Sequence, residues 1–292
     1  MNNKNWNQVC AWSLATILAC TLPSCGVNND ISSAEQLNYS NSEILAQLAQ
    51  ANIVYLGEIH DSLADHKAQL EIIQALYQER KKVAIALEMF QRPFQPVLDS
   101  YLAGEIREEE LRQQSEYAER WGYDWEFYAP ILRFAKAHQL PVLALNTPSE
   151  VTRKVAKQGL ESLTAEERRY LPPLAEIDTS NSAYRQMLEE IFLQHAHGGQ
   201  GNSKALDLFV TAQVLWDETM AEKIADFYLA NEDYLIVVLA GRGHIIYDYG
   251  IPSRVERRLS NISFKSYSVF VGESPEGENQ QGQAPADFFW NH

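Results

Sequence analysis

Apolar residues in this chain gather into short blocks, separated by longer stretches in which they recur every three or four positions. Four blocks are uninterrupted: Ile53-Val54-Tyr55-Leu56, Val83-Ala84-Ile85-Ala86-Leu87, Val142-Leu143-Ala144-Leu145 and Leu235-Ile236-Val237-Val238-Leu239. A strand that is apolar on both sides must be covered on both sides, as happens in a parallel sheet with helices above and below. A fifth run, 264–271, alternates more and reads as an edge strand. Helical periodicity occupies 65–80, 127–137, 148–157, 182–196 and 205–229. Strands alternating with helices predict an α/β fold with a mostly parallel central sheet of about five strands and right-handed crossovers. About fifty residues separate the second block from the third, and nearly ninety the third from the fourth. These mostly helical insertions are expected to form a cap at the carboxyl edge of the sheet, where parallel sheets take ligands.

The first 25 positions follow another pattern. Lys4 precedes an apolar run of about fourteen residues ending at Leu22, then Pro23, Ser24 and Cys25. This is signal-peptide architecture, and the run is short of the roughly 20 residues of a permanent membrane span. Leu22 and the small Ser24 before Cys25 resemble a bacterial lipobox, whose cysteine is acylated after cleavage. The expectation is a signal peptide over 1–24, lipid on Cys25, a solvated tether over 25–42, a folded domain over 43–273 and a flexible tail over 274–292. That places the protein in the cell envelope, lipid-anchored to a bacterial membrane, with plain secretion as the alternative.

Composition narrows the chemistry. The three cysteines, Cys10, Cys20 and Cys25, all fall in this leader, so the body can hold neither a disulfide nor a cysteine metal site. With 39 acidic against 24 basic side chains, the net charge is −15. A general nucleic-acid partner is excluded, because a phosphate backbone demands clustered Lys and Arg.

The polar residues that interrupt the apolar blocks fall at corresponding places. The first block runs into Gly57-Glu58-Ile59-His60-Asp61, the second into Glu88-Met89, the third into Asn146 and the fourth into Gly241-Arg242-Gly243-His244. Parallel strands set their C-termini side by side, so Glu58, His60, Glu88, Asn146 and His244 are expected to converge in one pocket. Acids there are partly desolvated and suited to proton transfer, or to holding a divalent metal with His60 and His244. Asp61 reads as a helix N-cap, and His66 as either a packing residue or a ligand. The five aromatics within 121–128 serve either as a hinge between helices or as the wall of a flat apolar pocket. No Gly-x-Ser-x-Gly elbow, phosphate loop, dinucleotide fingerprint or His-Glu-x-x-His is present, which disfavours serine esterases, nucleotide enzymes and zincins.

At these residues the chain resembles the ChaN-type haem-binding uptake lipoproteins, distant relatives of the erythromycin esterase and Tiki/TraB proteins. The matching stretches are Tyr55 to Asp61 with His66 and Gln69, Leu87 to Phe90, Trp125 to Pro130, Ala144 to Asn146, Ala212-Gln213 with Trp216-Asp217 and Met220-Ala221, and Ala240 to His244 followed by Gly250-Ile251-Pro252. The resemblance implies a haem cofactor held through tyrosine, with stacked haems shared in a homodimer. Tyr123, Tyr128 and Tyr184 are the candidate tyrosines, and His66 a further candidate haem contact. The enzymatic relatives imply instead a hydrolase of esterase or peptidase type. There His60 with Glu58 or Glu88 would activate water, directly or through a divalent metal, and His244 would stabilise an oxyanion.

Overall fold

The computed structural model describes residues 39–195, 203–272 and 277–291. The expected signal peptide, Cys25 and most of the tether lie outside the described residues. A capping box in which Ser40 and Glu43 exchange bonds opens α1 (Asn41–Leu48). Then come β1 (Ile53–Glu58), α2 (Leu63–Glu79) and β2 (Val83–Gln91). The first insertion carries α3 (Gln95–Leu102), α4 (Glu108–Gln114), α5 (Tyr117–Arg120) and α6 (Trp125–His138) and leads to β3 (Val142–Asn146). The second carries α7 (Ser149–Gln158), α8 (Ser182–His195) and α9 (Ser203–Ala230) and leads to β4 (Leu235–Gly241). The chain closes with α10 (Ile251–Arg258), β5 (Ser266–Val271) and β6 (Phe288–Trp290).

The strands form one sheet in the order β3-β2-β4-β1-β5-β6, and every pairing is parallel. β1, β2, β3 and β4 are buried along their whole length, as their unbroken apolar runs require. Alternate residues of β1 serve opposite faces. Val54 and Leu56 join the core packed by α1, α2, α3 and α6, while Ile53 and Tyr55 join the core packed by α9 and α10.

Two expectations about the sheet are corrected. The run at 264–271 forms β5, but inside the sheet, because β6 pairs beyond it with Val269, Phe270 and Val271 opposite Phe288, Phe289 and Trp290. The sheet therefore has six strands. The tail expected to be flexible over 274–292 contributes that sixth strand, anchored by Trp290 at 1% exposure and by a bond from Asn41 Nδ2 to the Asn291 carbonyl.

The edge geometry follows from local rules. Ser62, rather than Asp61, caps α2, its hydroxyl accepting from the Asp65 amide. Asp65 in turn accepts from the Ile59 amide at 2.9 Å, which folds the turn after β1 back over the strand end. β2 shifts register between Leu87 and Gln91, and this irregularity lies where Glu88 leaves the ladder. Gly57 has to be glycine for packing reasons, since a β-carbon there would stand 2.4 Å from the Phe270 ring.

Candidate functional site

Glu58, His60, Glu88 and His244 meet at the carboxyl edge of β1, β2 and β4, as the strand-end pattern predicts. Glu58, 2% exposed, is held from three directions. Tyr128 Oη donates to its Oε1 at 2.5 Å, Gln69 Nε2 donates to its Oε2 at 2.8 Å, and His60 Nδ1 lies 2.8 Å from Oε1. A carboxylate only accepts, so Nδ1 of His60 carries the proton and Nε2 turns toward β4. There a β-carbon on Gly241 would stand 2.9 Å from it. Glu88 Oε2 accepts the Gly241 amide at 2.7 Å, capping the strand just past its last ladder pair with β2, Leu87 opposite Leu239.

His244 repeats the arrangement from the other side. Its Nδ1 donates to Asp217 Oδ1 at 2.7 Å, and its Nε2 lies 3.5 Å from Glu88 Oε1. Tyr184 Oη donates to the other oxygen of Asp217 at 2.6 Å. The site is thus two imidazoles, each fixed at Nδ1 by a buried carboxylate that a tyrosine supports. Their Nε2 atoms converge on Glu88 and the Gly241 backbone.

Burial and charge act against each other on these groups. Burial favours neutral Glu58, yet the bond from His60, the charges of His60 and His66 and the bond from Tyr128 together hold its carboxyl below the usual range. Burial pulls His60 down, but the Glu58 bond and the Glu88 and Glu58 charges outweigh it and raise its pKa, with His244 opposing. His244 is likewise opposed by burial and still raised to about 9, through Glu88 and Asp217. Proton donors and acceptors oriented in this way suit general acid–base chemistry.

Not every expected member joins. Asn146 is buried, but its side chain accepts from the next amide, Thr147, and it stands opposite Gln91 on the far side of β2. His66 is a structural support: its ring nitrogens lie 3.1 Å from Gln69 Oε1 and the His60 carbonyl, and its ring stacks on Phe127. Asp217 and Gln69, which complete the two imidazole arrangements, were not picked out by strand-end reasoning, although both fall within the stretches that carry the family resemblance. The available signal for Asp217 was an Asp217-Glu218 pair within an otherwise apolar stretch of a helix, where each acid requires a partner.

The expected divalent metal finds no ready-made site. Among the described residues no group of three or more His, Cys, Asp or Glu side chains is disposed to hold a metal ion. The oxygens of Glu58 are occupied by His60, Tyr128 and Gln69, one oxygen of Glu88 by Gly241, and the proximal nitrogens of both histidines by carboxylates.

The candidate haem contacts separate in the same way. Tyr128 and Tyr184 are buried to 1% and 2% exposure, and each hydroxyl donates to a buried acid. Burial, reinforced by those acids, pushes both phenols well above their ordinary pKa and opposes the phenolate that would bind iron. With His66 also buried, these three do not fit as haem ligands. Tyr123 is half-buried beside His60 at 5.0 Å between ring centres, and Trp121 meets the same imidazole edge-on at 4.8 Å. Within the aromatic stretch Trp125 and Tyr128 pack in the core, while Trp121 and Tyr123 lie partly buried beside His60.

The family model for haem-binding uptake proteins, Tiki superfamily, ChaN, matches residues 44–255. The chain belongs to this family. A solved structure described as cofacial heme binding to ChaN of Campylobacter jejuni shares the fold with a TM-score of 0.64 at 22% identity, over 85% of this chain and 91% of that one. An erythromycin esterase, EreC, in its open conformation aligns with a TM-score of 0.47 at 16% identity, over 84% of this chain and 79% of that one. Among curated proteins, RETICULATA-RELATED 5, chloroplastic, of Arabidopsis thaliana is 27% identical over 267 residues. That alignment covers 84% of this ChaN-family chain and 34% of the relative, so the chain spans about a third of the length of that protein.

Proposed function

We propose that this ChaN-family protein binds haem at the carboxyl edge of its sheet, with Trp121 and Tyr123 against the porphyrin and the Tyr123 phenol offered to iron. The observation that carries the reading is the half-buried Trp121 and Tyr123 pair, whose ring centres lie 5.5 Å apart over His60. Flat aromatic side chains and a phenol fit a porphyrin and its iron. The bound group would supply the iron that the protein carries, while the chain supplies the aromatic wall and keeps His60 oriented through Glu58. Membership of a haem-binding uptake family supports a role in haem or iron handling, with two copies meeting over their haems. The Leu22-Pro23-Ser24-Cys25 sequence supports attachment to a bacterial membrane, tested by fatty-acid labelling that Cys25→Ala abolishes. The haem reading is tested by titrating haemin: a saturable Soret band is expected, lost or strongly shifted in Tyr123→Phe.

A second reading has its own observation. Two imidazoles fixed at Nδ1 by Glu58 and Asp217, with Glu88 between their Nε2 atoms, constitute more proton-transfer machinery than haem carriage requires. In a hydrolase, His60 Nε2 would take a proton from water and the charged His244 would stabilise the oxyanion. Screening esters and peptides for turnover that His60→Ala abolishes, with the fold retained, tests this. If no turnover is found on either class, the acids are left with a structural role.

A further inference from the structure

β1 presents chemistry on both faces of the sheet. Three residues before Glu58 and on the opposite face, Tyr55 lines a separate cavity of about 200 Å³. Tyr55 is 1% exposed, and its hydroxyl has no hydrogen-bond partner. An orphaned buried hydroxyl costs roughly 1–3 kcal/mol, so a partner is to be sought in the cavity it lines.

Three carboxylates border the same cavity: Asp248, Glu256 and Asp287. Asp287 Oδ2 is fixed to β5 by the Ser268 amide at 2.7 Å and the Ser268 hydroxyl at 3.0 Å. Asp248 accepts a bond from Gln283 Nε2 at 3.3 Å and sits in a turn where it and Tyr247 both adopt the left-handed conformation, at φ 57° and 53°. Among the described residues no ion pair joins any of these three acids to a lysine or arginine. The Lys265 ammonium lies over the Tyr267 ring, 4.8 Å from its centre. Burial, with the charges of Asp287 and Glu256, pushes the Asp248 carboxyl up to about 6, as expected for negative charge that nothing neutralises. Phe264 and Tyr267 supply aromatic walls.

We propose that this cavity is a binding site for a small aliphatic amine, held as its ammonium ion by Asp248, Glu256 and Asp287 with the Tyr55 hydroxyl as a further acceptor. Aromatic walls with carboxylates recognise alkylammonium groups, which carry both apolar surface and charge. A bare metal ion is disfavoured, because no three acids or histidines among the described residues are grouped to ligate one. The volume lies below the roughly 300–1,000 Å³ of clefts that take larger ligands, which limits the occupant to a short chain. Three acids around one cavity favour two positive charges over one. The site is independent of the haem reading, since it lies on the other face of β1 from Glu58 and His60.

The test is calorimetric or NMR titration of the whole protein with putrescine and with butylamine, at constant ionic strength maintained with sodium chloride. Putrescine is expected to bind saturably and more tightly than butylamine. Tyr55→Phe and Asp248→Asn should each weaken it about tenfold, the scale of one lost bond to a charged group. Both variants conserve shape, and Asn tolerates the left-handed backbone at 248, so circular dichroism should match wild type. Haemin binding should be unchanged in both. Failure of putrescine to bind beyond the salt control, or equal affinity in the variants, would overturn the proposal.

Discussion

A β-carbon on Gly241 would stand 2.9 Å from Nε2 of His60 and 3.0 Å from its Cε1, so strand β4 and the imidazole of the β1 edge are fitted to one another at the limit of contact. The ring cannot simply turn aside, because Nδ1 is bonded to Glu58 and Trp121 packs against it. Gly241→Ala should therefore destabilise the fold by about 1–3 kcal/mol, the usual cost of overpacking, and lengthen the Glu58–His60 bond. Thermal unfolding together with the His60 imidazole NMR signals checks this. An unchanged melting temperature would mean that the edge is looser than this contact implies.

The stability of the fold should depend on pH through His244. Its pKa is about 9 in the folded chain against 6.5 for the unperturbed side chain, so the folded state binds this proton more tightly. The contribution is complete below pH 6.5 and is lost as pH rises toward 9, and His60, also raised, acts in the same direction. Urea unfolding of wild type should show a loss on the order of 2 kcal/mol across that window, largely absent in His244→Gln. Glu58 works oppositely: its carboxyl is lowered, so its contribution is present above pH 4.5 and fades on acidification. Parallel profiles for wild type and His244→Gln between pH 6.5 and 9 would contradict the assignment.

Glu218 holds the second helical insertion to α10. Fully buried on α9, it lies 2.6 Å from Arg257, 3.0 Å from Arg258 and 3.3 Å from Arg254, tying α9 to α10. Removing one member leaves Arg254, itself 4% exposed, without its carboxylate. Glu218→Ala should cost about 3–5 kcal/mol in chemical unfolding, and Glu218→Gln less, because an amide still accepts hydrogen bonds.

Much of this architecture was legible in the sequence. Runs such as Leu235 to Leu239 admit only a strand covered on both faces, and the polar residues that end those runs had to converge once the sheet was parallel. The sixth strand was not legible: Phe288-Phe289-Trp290 is too short a run to stand out behind a Gly- and Gln-rich stretch, and only its pairing with β5 defines it. Asn146 was placed at the right edge, but one strand too far out for the cluster, because strand order is set by crossovers that periodicity does not reveal. The same limit applies to Tyr128 and Tyr184. Sequence marks them as phenols, whereas their role as donors to Glu58 and Asp217 arises from helices packed 70 and 33 residues away along the chain.

The central claim is that haem meets the accessible aromatic pair rather than the buried tyrosines. Absorbance titration of haemin into wild type, Tyr123→Phe and Tyr128→Phe tests it most directly. The account predicts a saturable Soret band in wild type and in Tyr128→Phe, the latter less stable but spectrally alike, with at least tenfold weaker binding and an altered band in Tyr123→Phe. Wild-type binding and spectrum in Tyr123→Phe, or no saturable binding by any of the three, would contradict it.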